Sequence, residues 1–239
     1  MTTETHTARR AIIMAAGQGK RLQPVTLHTP KPLIKVNGVR MIDSSINALR
    51  QNGIKEIYVV VGYLKEQFSD LPAQYPGLTL IDNPWYAICN NISSLYVARE
   101  HLEDCIILDG DQIIYNPAIL KPQFGRSGYN AVWTDSPTDE WLMQVEEGVV
   151  RSCSRTGGDH GWQLYSISRW SAADGARLRR HLETEFERGN RQIYWDDVAM
   201  FCYPDQYALG IYPMDRKDII EIDDLEELIA LDPSFRGSD

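Results

Sequence analysis

The sequence predicts an α/β domain: a mostly parallel sheet flanked by helices and extended by antiparallel strands. Three observations carry this. Strand-length apolar runs at 11–15, 57–61, 78–81 and 105–108 are separated by helical patterns, an alternation that right-handed crossovers convert into a parallel sheet. From residue 130 onward the pattern changes to short alternating segments with a hairpin signal at Glu146-Glu147-Gly148. The chain has 239 residues, 43% of them hydrophobic, which suits one domain with a full core and no linker long enough to divide it.

In chain order, Ala11 to Ala15 is a buried strand that runs into Ala16-Gly17-Gln18-Gly19-Lys20-Arg21-Leu22. Pro24, Pro30 and Pro32 prevent a long helix from following at once. Met41, Ile42, Ile46 and Leu49 have helical spacing, and Asn52-Gly53 ends that helix. Strands follow at 57–61 and 78–81, with a short helical piece at about 64–70 between them. A helix from about Ser93 to Leu102 precedes the strand Cys105 to Leu108, with Asn91 or Ser93 as a natural N-cap. The second half reads as strands at 130–134, 141–145, 149–152 and 163–168, a long helix at 172–188, a short one at 196–201, strands at 207–212 and 219–222, and a closing helix at 224–231. Met1 to Ala8 and Arg236 to Asp239 read as frayed ends.

Composition excludes several functions. A net charge of -9 argues against nucleic-acid binding, yet the first 40 residues are locally basic, which suits a small anionic ligand. No apolar run approaches the roughly 18–20 residues that span a bilayer, and the first ten residues lack the apolar core of a signal peptide, so a cytoplasmic location is expected. Cys89, Cys105, Cys153 and Cys202 have no C-x-x-C spacing and read as buried thiols, not as a zinc site or disulfide framework.

The chemistry concentrates at the end of the first strand. Backbone N–H groups reach an anion only where side chains leave room, so Ala15, Ala16, Gly17, Gln18 and Gly19 form a candidate polyphosphate cradle, with Lys20, Arg21 and Lys31 as countercharge. Walker A spacing is absent, and so is the third glycine of a dinucleotide loop. Asp109 and Asp111 stand at i and i+2 after an apolar strand, at the edge where ligands bind in open α/β sheets. They read either as a divalent-cation site, Mg²⁺ being the obvious ion, or as a solvated acidic turn with Gly110 at positive φ. Asp223, after the strand at 219–222, is a candidate third carboxylate. His6, His28, His101, His160 and His181 form no catalytic arrangement. Attack by a phosphate oxygen needs none, because that oxygen is already ionised at neutral pH.

Taken together, Gly17-Gln18-Gly19-Lys20-Arg21-Leu22, Thr29-Pro30-Lys31-Pro32-Leu33, Asn90-Asn91 with Ser94-Leu95-Tyr96, Glu140-Trp141, Tyr194-Trp195-Asp196-Asp197 and Glu221-Ile222-Asp223 resemble the bacterial CTP:phosphocholine cytidylyltransferases, within the sugar-phosphate nucleotidyltransferase superfamily. The resemblance runs from about residue 10 to 232. It implies a Rossmann-like nucleotidyltransferase fold with a nucleotide-binding half at about 9–124 and an acceptor-binding half at about 125–235. It implies CMP transfer from CTP to phosphocholine by a monomer or homodimer, with no nucleic acid or membrane as partner. By the same resemblance, Arg21 and the 15–20 loop hold the phosphates, Lys31 neutralises the transferred group, and Asp111 and Asp223 bind Mg²⁺. Asn83, Asn90, Ser94 and Asp109 would contact the nucleotide. Asn91, Trp141, Tyr194, Trp195 and Asp197 would hold the acceptor.

A trimethylammonium group is recognised by aromatic faces and a carboxylate, which Trp141, Tyr194, Trp195, Asp196 and Asp197 could supply; the tryptophans could equally be core. A primary ammonium, as in 2-aminoethylphosphonate, would prefer carboxylates. A sugar-1-phosphate nucleotidyltransferase and a nucleotide-binding regulatory module without catalysis stay open beside these.

Overall fold

The computed structural model describes residues 5–237. Four parallel strands form its heart: β1 (Arg10–Ala15), β2 (Glu56–Val61), β3 (Leu78–Asp82) and β4 (Cys105–Asp109). Their spatial order is 3-2-1-4, with β1 paired in parallel to both β2 and β4. Period-two geometry explains why the β1 run is continuously apolar. Ala11, Ile13 and Ala15 enter one core layer beneath α1 (Met41–Gln51), while Ile12 and Met14 enter the layer on the opposite face. That second layer also takes Leu95 of α2 (Ile92–Val97) and Leu178 and Leu182 of α3 (Ala172–Glu187).

The other strands of three or more residues are β5 (Gln112–Ile114), β6 (Gly128–Thr134), β7 (Leu142–Glu146), β8 (Val149–Ser154), β9 (Gly161–Trp170), β10 (Gly210–Pro213) and β11 (Ile219–Glu221). β9 lies antiparallel to β4 and carries β7, β8 and β6 outward; β10 joins β6 in parallel. The expected turn between β7 and β8 is a two-residue hairpin, with Glu147 and Gly148 both at positive φ. A separate ladder pairs β11 with β5, and a last helix, α4 (Leu225–Leu231), starts at Asp224, whose carboxylate caps the Glu227 N–H.

Four expectations shift. Of the cysteines read as buried, Cys105 is buried, Cys89 and Cys153 are half-buried and Cys202 is exposed. His6–Thr7 is not frayed but pairs with Gln123–Phe124, and Ala8 is buried; Met1 to Glu4, Ser238 and Asp239 lie outside the described residues. The helix read from Ser93 to Leu102 stops at Val97, and a 3₁₀ turn at Arg99–His101 carries Leu102 down into the core. The short helix read at 196–201 is a π turn at Val198–Cys202. Among the described residues no helix is long and apolar enough to cross a membrane.

Candidate active site

The chain after β1 folds as three successive 3₁₀ turns, Lys20–Leu22, Val25–Leu27 and Lys31–Leu33, as the three prolines dictate. Gly19 adopts φ 59°, and a Cβ there would sit 3.0 Å from the Thr26 methyl; the Thr26 hydroxyl donates to the Gly19 carbonyl at 2.9 Å and locks the loop. A Cβ on Gly17 would meet nothing within 4 Å, so the loop backbone opens onto free space. That space is a cleft of about 640 Å³ over the C-terminal ends of β1 and β4.

A small apolar cluster brings the two ends of the site together. Leu22 after the loop, Met41 at the head of α1 and Ile222 after β11 are all fully buried against one another, each contributing about 1.5–3 kcal/mol. This places Asp223 beside the loop. The Arg21 guanidinium reaches Asp223 at 2.7 Å, and the Lys31 ammonium lies 2.6 Å from Asp111 and 3.4 Å from Asp223. Lys31 is only 8% exposed. Burial pulls its pKa down, but the charge and hydrogen bond of Asp111, with Asp223 and Glu221 behind, outweigh that and leave it raised.

Opposite Lys31 the carboxylates crowd. One oxygen each of Asp109, Asp111 and Glu221 lies within 4.8 Å of the others. Burial, then the neighbouring Asp111, pushes Asp109 well above the ordinary carboxylate range; burial, then Asp111 and Asp109, does the same to Glu221. Asp111 Oδ1 is buried without a hydrogen-bond partner among the described residues. An orphaned oxygen in an all-carboxylate set is the donor chemistry a hard divalent cation takes. Gly110 is not at positive φ, contrary to the acidic-turn reading. It is small because a Cβ would lie 3.0 Å from Pro32 and 3.1 Å from the Met14 carbonyl.

The structure gathers Ala15, Ala16, Gly17, Gln18, Gly19, Lys20, Arg21, Lys31, Asn90, Asn91, Ser94, Asp109, Asp111, Tyr194 and Asp223 around the cleft. Asn91 takes the N-cap position of α2, without a side-chain capping bond, and Asn90 precedes it. They tie the lip to the second half of the chain: the Asn90 N–H donates to the Arg191 carbonyl at 2.8 Å, and the Trp195 N–H donates to Asn91 Oδ1 at 2.9 Å.

Four predicted residues sit elsewhere. Asn83, expected at the base edge, is fully buried behind the lip: its amide donates to the Ser93 and Ser94 hydroxyls at 3.0 Å each and accepts the Trp85 N–H at 2.9 Å. Its hydrogen-bonding capacity is spent on the scaffold. Asn83→Ala is therefore expected to cost about 2–3 kcal/mol of stability, read from a lowered urea midpoint, with little change in nucleotide KM. Trp195 is a core aromatic packed against Tyr129 and Trp170. Trp141 stands behind Tyr194, edge-on at 5.7 Å, and is not part of the cleft wall. Asp197 is buried, accepts the Tyr194 N–H at 2.9 Å and pairs with Arg155 at 2.5 Å. Asp196 is buried too, its carboxyl pushed up to about 7 by burial.

Glu221 was missed as a site residue. It precedes Asp223 at the same i, i+2 spacing that joins Asp109 to Asp111, and that repeated signal could have found it. Tyr86 and Gln192, also on the cleft wall, carry no such signal.

Residues 11–184 match the family of MobA-like NTP transferase domains. A 2-aminoethylphosphonate cytidylyltransferase from Lancefieldella rimae is 39% identical over 228 residues, covering 94% of this chain and 92% of its own. A choline-phosphate cytidylyltransferase from Streptococcus pneumoniae is 32% identical, covering 95% of this chain and 99% of its own. Among solved structures, the CTP:phosphocholine cytidylyltransferase LicC from Streptococcus pneumoniae aligns with a TM-score of 0.86 at 30% identity, over 95% of this chain and 99% of its own.

Proposed function

The chain belongs to the family of MobA-like NTP transferase domains, and from that membership we propose that it transfers CMP from CTP to phosphocholine, giving CDP-choline and pyrophosphate. The observation that carries this is Lys31, buried between Asp111 and Asp223 on the floor of a cleft whose rim is an open glycine loop. Phosphoryl and nucleotidyl transfer needs positioning and charge neutralisation more than acid–base chemistry, and this cleft offers both. Cytidine as the base rests on the likeness to cytidylyltransferases along nearly the whole chain.

The placement of these residues around the cleft supports the following roles. Backbone N–H groups of Ala15 to Gly19, with Lys20 and Arg21, hold the triphosphate, and Lys31 faces the α-phosphate. An oxygen of the acceptor phosphate attacks the α-phosphorus; the bond from that phosphorus to the bridging oxygen breaks, and pyrophosphate leaves. Asp109, Asp111 and Glu221, with Asp223 beside them, would hold Mg²⁺, which supplies charge neutralisation for the phosphates when bound. The half of the chain after about residue 125 contributes the acceptor side through Tyr194, with Trp141 and Asp197 behind it.

A second reading, 2-aminoethylphosphonate as acceptor, is favoured by the 39% identical relative and by the buried Asp197, which can accept hydrogen bonds from a primary ammonium. Pyrophosphate release decides between them. CTP should outperform UTP, dTTP and ATP, and phosphocholine should outperform 2-aminoethylphosphonate and sugar 1-phosphates at equal concentration. Preference for another nucleotide removes the cytidylyl assignment, and preference for the phosphonate replaces the acceptor. Tight CTP binding without turnover on any acceptor would leave a nucleotide-binding module.

A further inference from the structure

Behind the cleft, a side-chain cation occupies surroundings suited to a ligand's. The Arg155 guanidinium lies 4.0 Å from the centre of the Phe201 ring and 5.8 Å from that of Trp141, and its Nη2 is 2.5 Å from Asp197 Oδ1. Trp141 meets Phe201 at 5.6 Å and Tyr194 at 5.7 Å, both edge-on, and Tyr194 opens onto the cleft. The carboxylate is fixed while the cation is not: the Asp197 side chain is 3% exposed and anchored by the Tyr194 N–H, whereas Arg155 is 47% exposed and follows β8 in a connecting segment.

We propose that Arg155 is an exchangeable occupant of the acceptor's ammonium subsite, pairing with Asp197 in the free enzyme and giving way when the acceptor's cationic head arrives. This rests on the reading of the Trp141 to Asp197 region as the acceptor side of the cleft. A buried carboxylate left alone is costly, so a partner supplied by the chain keeps the subsite formed between turnovers. The arrangement makes Arg155 an internal competitor for every cationic acceptor. A primary ammonium brings Asp197 both a charge and hydrogen-bond donors. A trimethylammonium replaces only the charge and the aromatic contact. The cost of displacing Arg155 is the same whichever acceptor arrives, so preference between the two rests on what each returns to Asp197.

The test is steady-state kinetics of Arg155→Ala and Arg155→Gln with CTP and each ammonium acceptor. The second variant keeps a hydrogen-bond donor for Asp197 should the first fail to fold. Removing the internal competitor lowers the acceptor KM about two- to fivefold, the worth of an exposed cation–aromatic contact. The fall is of similar size for phosphocholine and for 2-aminoethylphosphonate, and the CTP KM is unchanged. Added methylguanidinium inhibits the Arg155→Ala enzyme competitively against the acceptor but not against CTP. An acceptor KM that rises or stays constant in the folded variants overturns the exchange while leaving the proposed reaction intact. A wild-type enzyme that releases no pyrophosphate with either ammonium acceptor overturns both.

Discussion

Lys31→Ala is expected to lower kcat by at least about 10²–10³-fold, the effect of removing one preorganised charge-stabilising donor, while the protein remains folded. Lys31 has no substitute. Arg21 is directed at Asp223, and Lys20 is exposed on the rim, so neither covers the position 2.6 Å from Asp111. Because its pKa is raised above the ordinary lysine value, Lys31 stays cationic throughout the neutral range, so no loss of activity between pH 6 and 9 should trace to its deprotonation. Single-turnover rates at saturating CTP and metal, with circular dichroism to verify the fold, give the measurement. A rate near wild type would show that the buried ammonium is a structural counterion to the acidic cluster and not part of the reaction.

Asp223→Ala carries the second large effect. Its carboxylate is shared between Arg21 at 2.7 Å and Lys31 at 3.4 Å, so its loss frees Arg21 and leaves Lys31 paired with Asp111 alone. It lies beside the tight group of Asp109, Asp111 and Glu221 and not within it. Turnover is expected to fall about 10²-fold or more, with the Mg²⁺ activation midpoint moved upward by about 10–100-fold, the range for groups that orient metal ligands. The paired variant Glu221→Gln should move the same midpoint. An Asp223→Ala enzyme with an unchanged kcat and metal midpoint would confine the ion to the three crowded carboxylates and leave Asp223 as a partner for Arg21 alone.

The parallel heart of the fold was legible because β1 and β4 bury both faces and therefore read as unbroken apolar runs. The loop was legible because glycines, cations and prolines are all needed locally. The family could be read from the same motifs, since they occur along nearly the whole chain. What escaped was set by contacts between distant segments. Trp195 and Trp141 carry the same acceptor reading from the sequence yet serve differently, one packed on Trp170 in the core and the other behind Tyr194. Asn83 has the composition of a ligand-reading residue, but two serines ten and eleven positions on take both of its amide hydrogens. The helix read through Leu102 ended early because helical spacing does not distinguish an α turn from the 3₁₀ turn that also buries Leu102. Arg155 gave no signal, because its meaning lies in Phe201 and Asp197, more than forty positions away.

The bridge from Asp223 back to the loop has a kinetic meaning. Lys31 and Asp223 are 192 positions apart, and Arg21 and Asp223 are 202 apart. Closing a loop of that length costs roughly 5 kcal/mol in chain entropy before the contact returns anything. The short ladder between β5 and β11 closes it, so the charged centre is expected to assemble late, after the parallel strands have met. A nucleotide or cation that needs the completed centre finds nothing to grip in the folding transition state. Its stabilisation falls almost wholly on the escape rate from the native state, so substrate keeps the finished molecule from opening without hastening its formation.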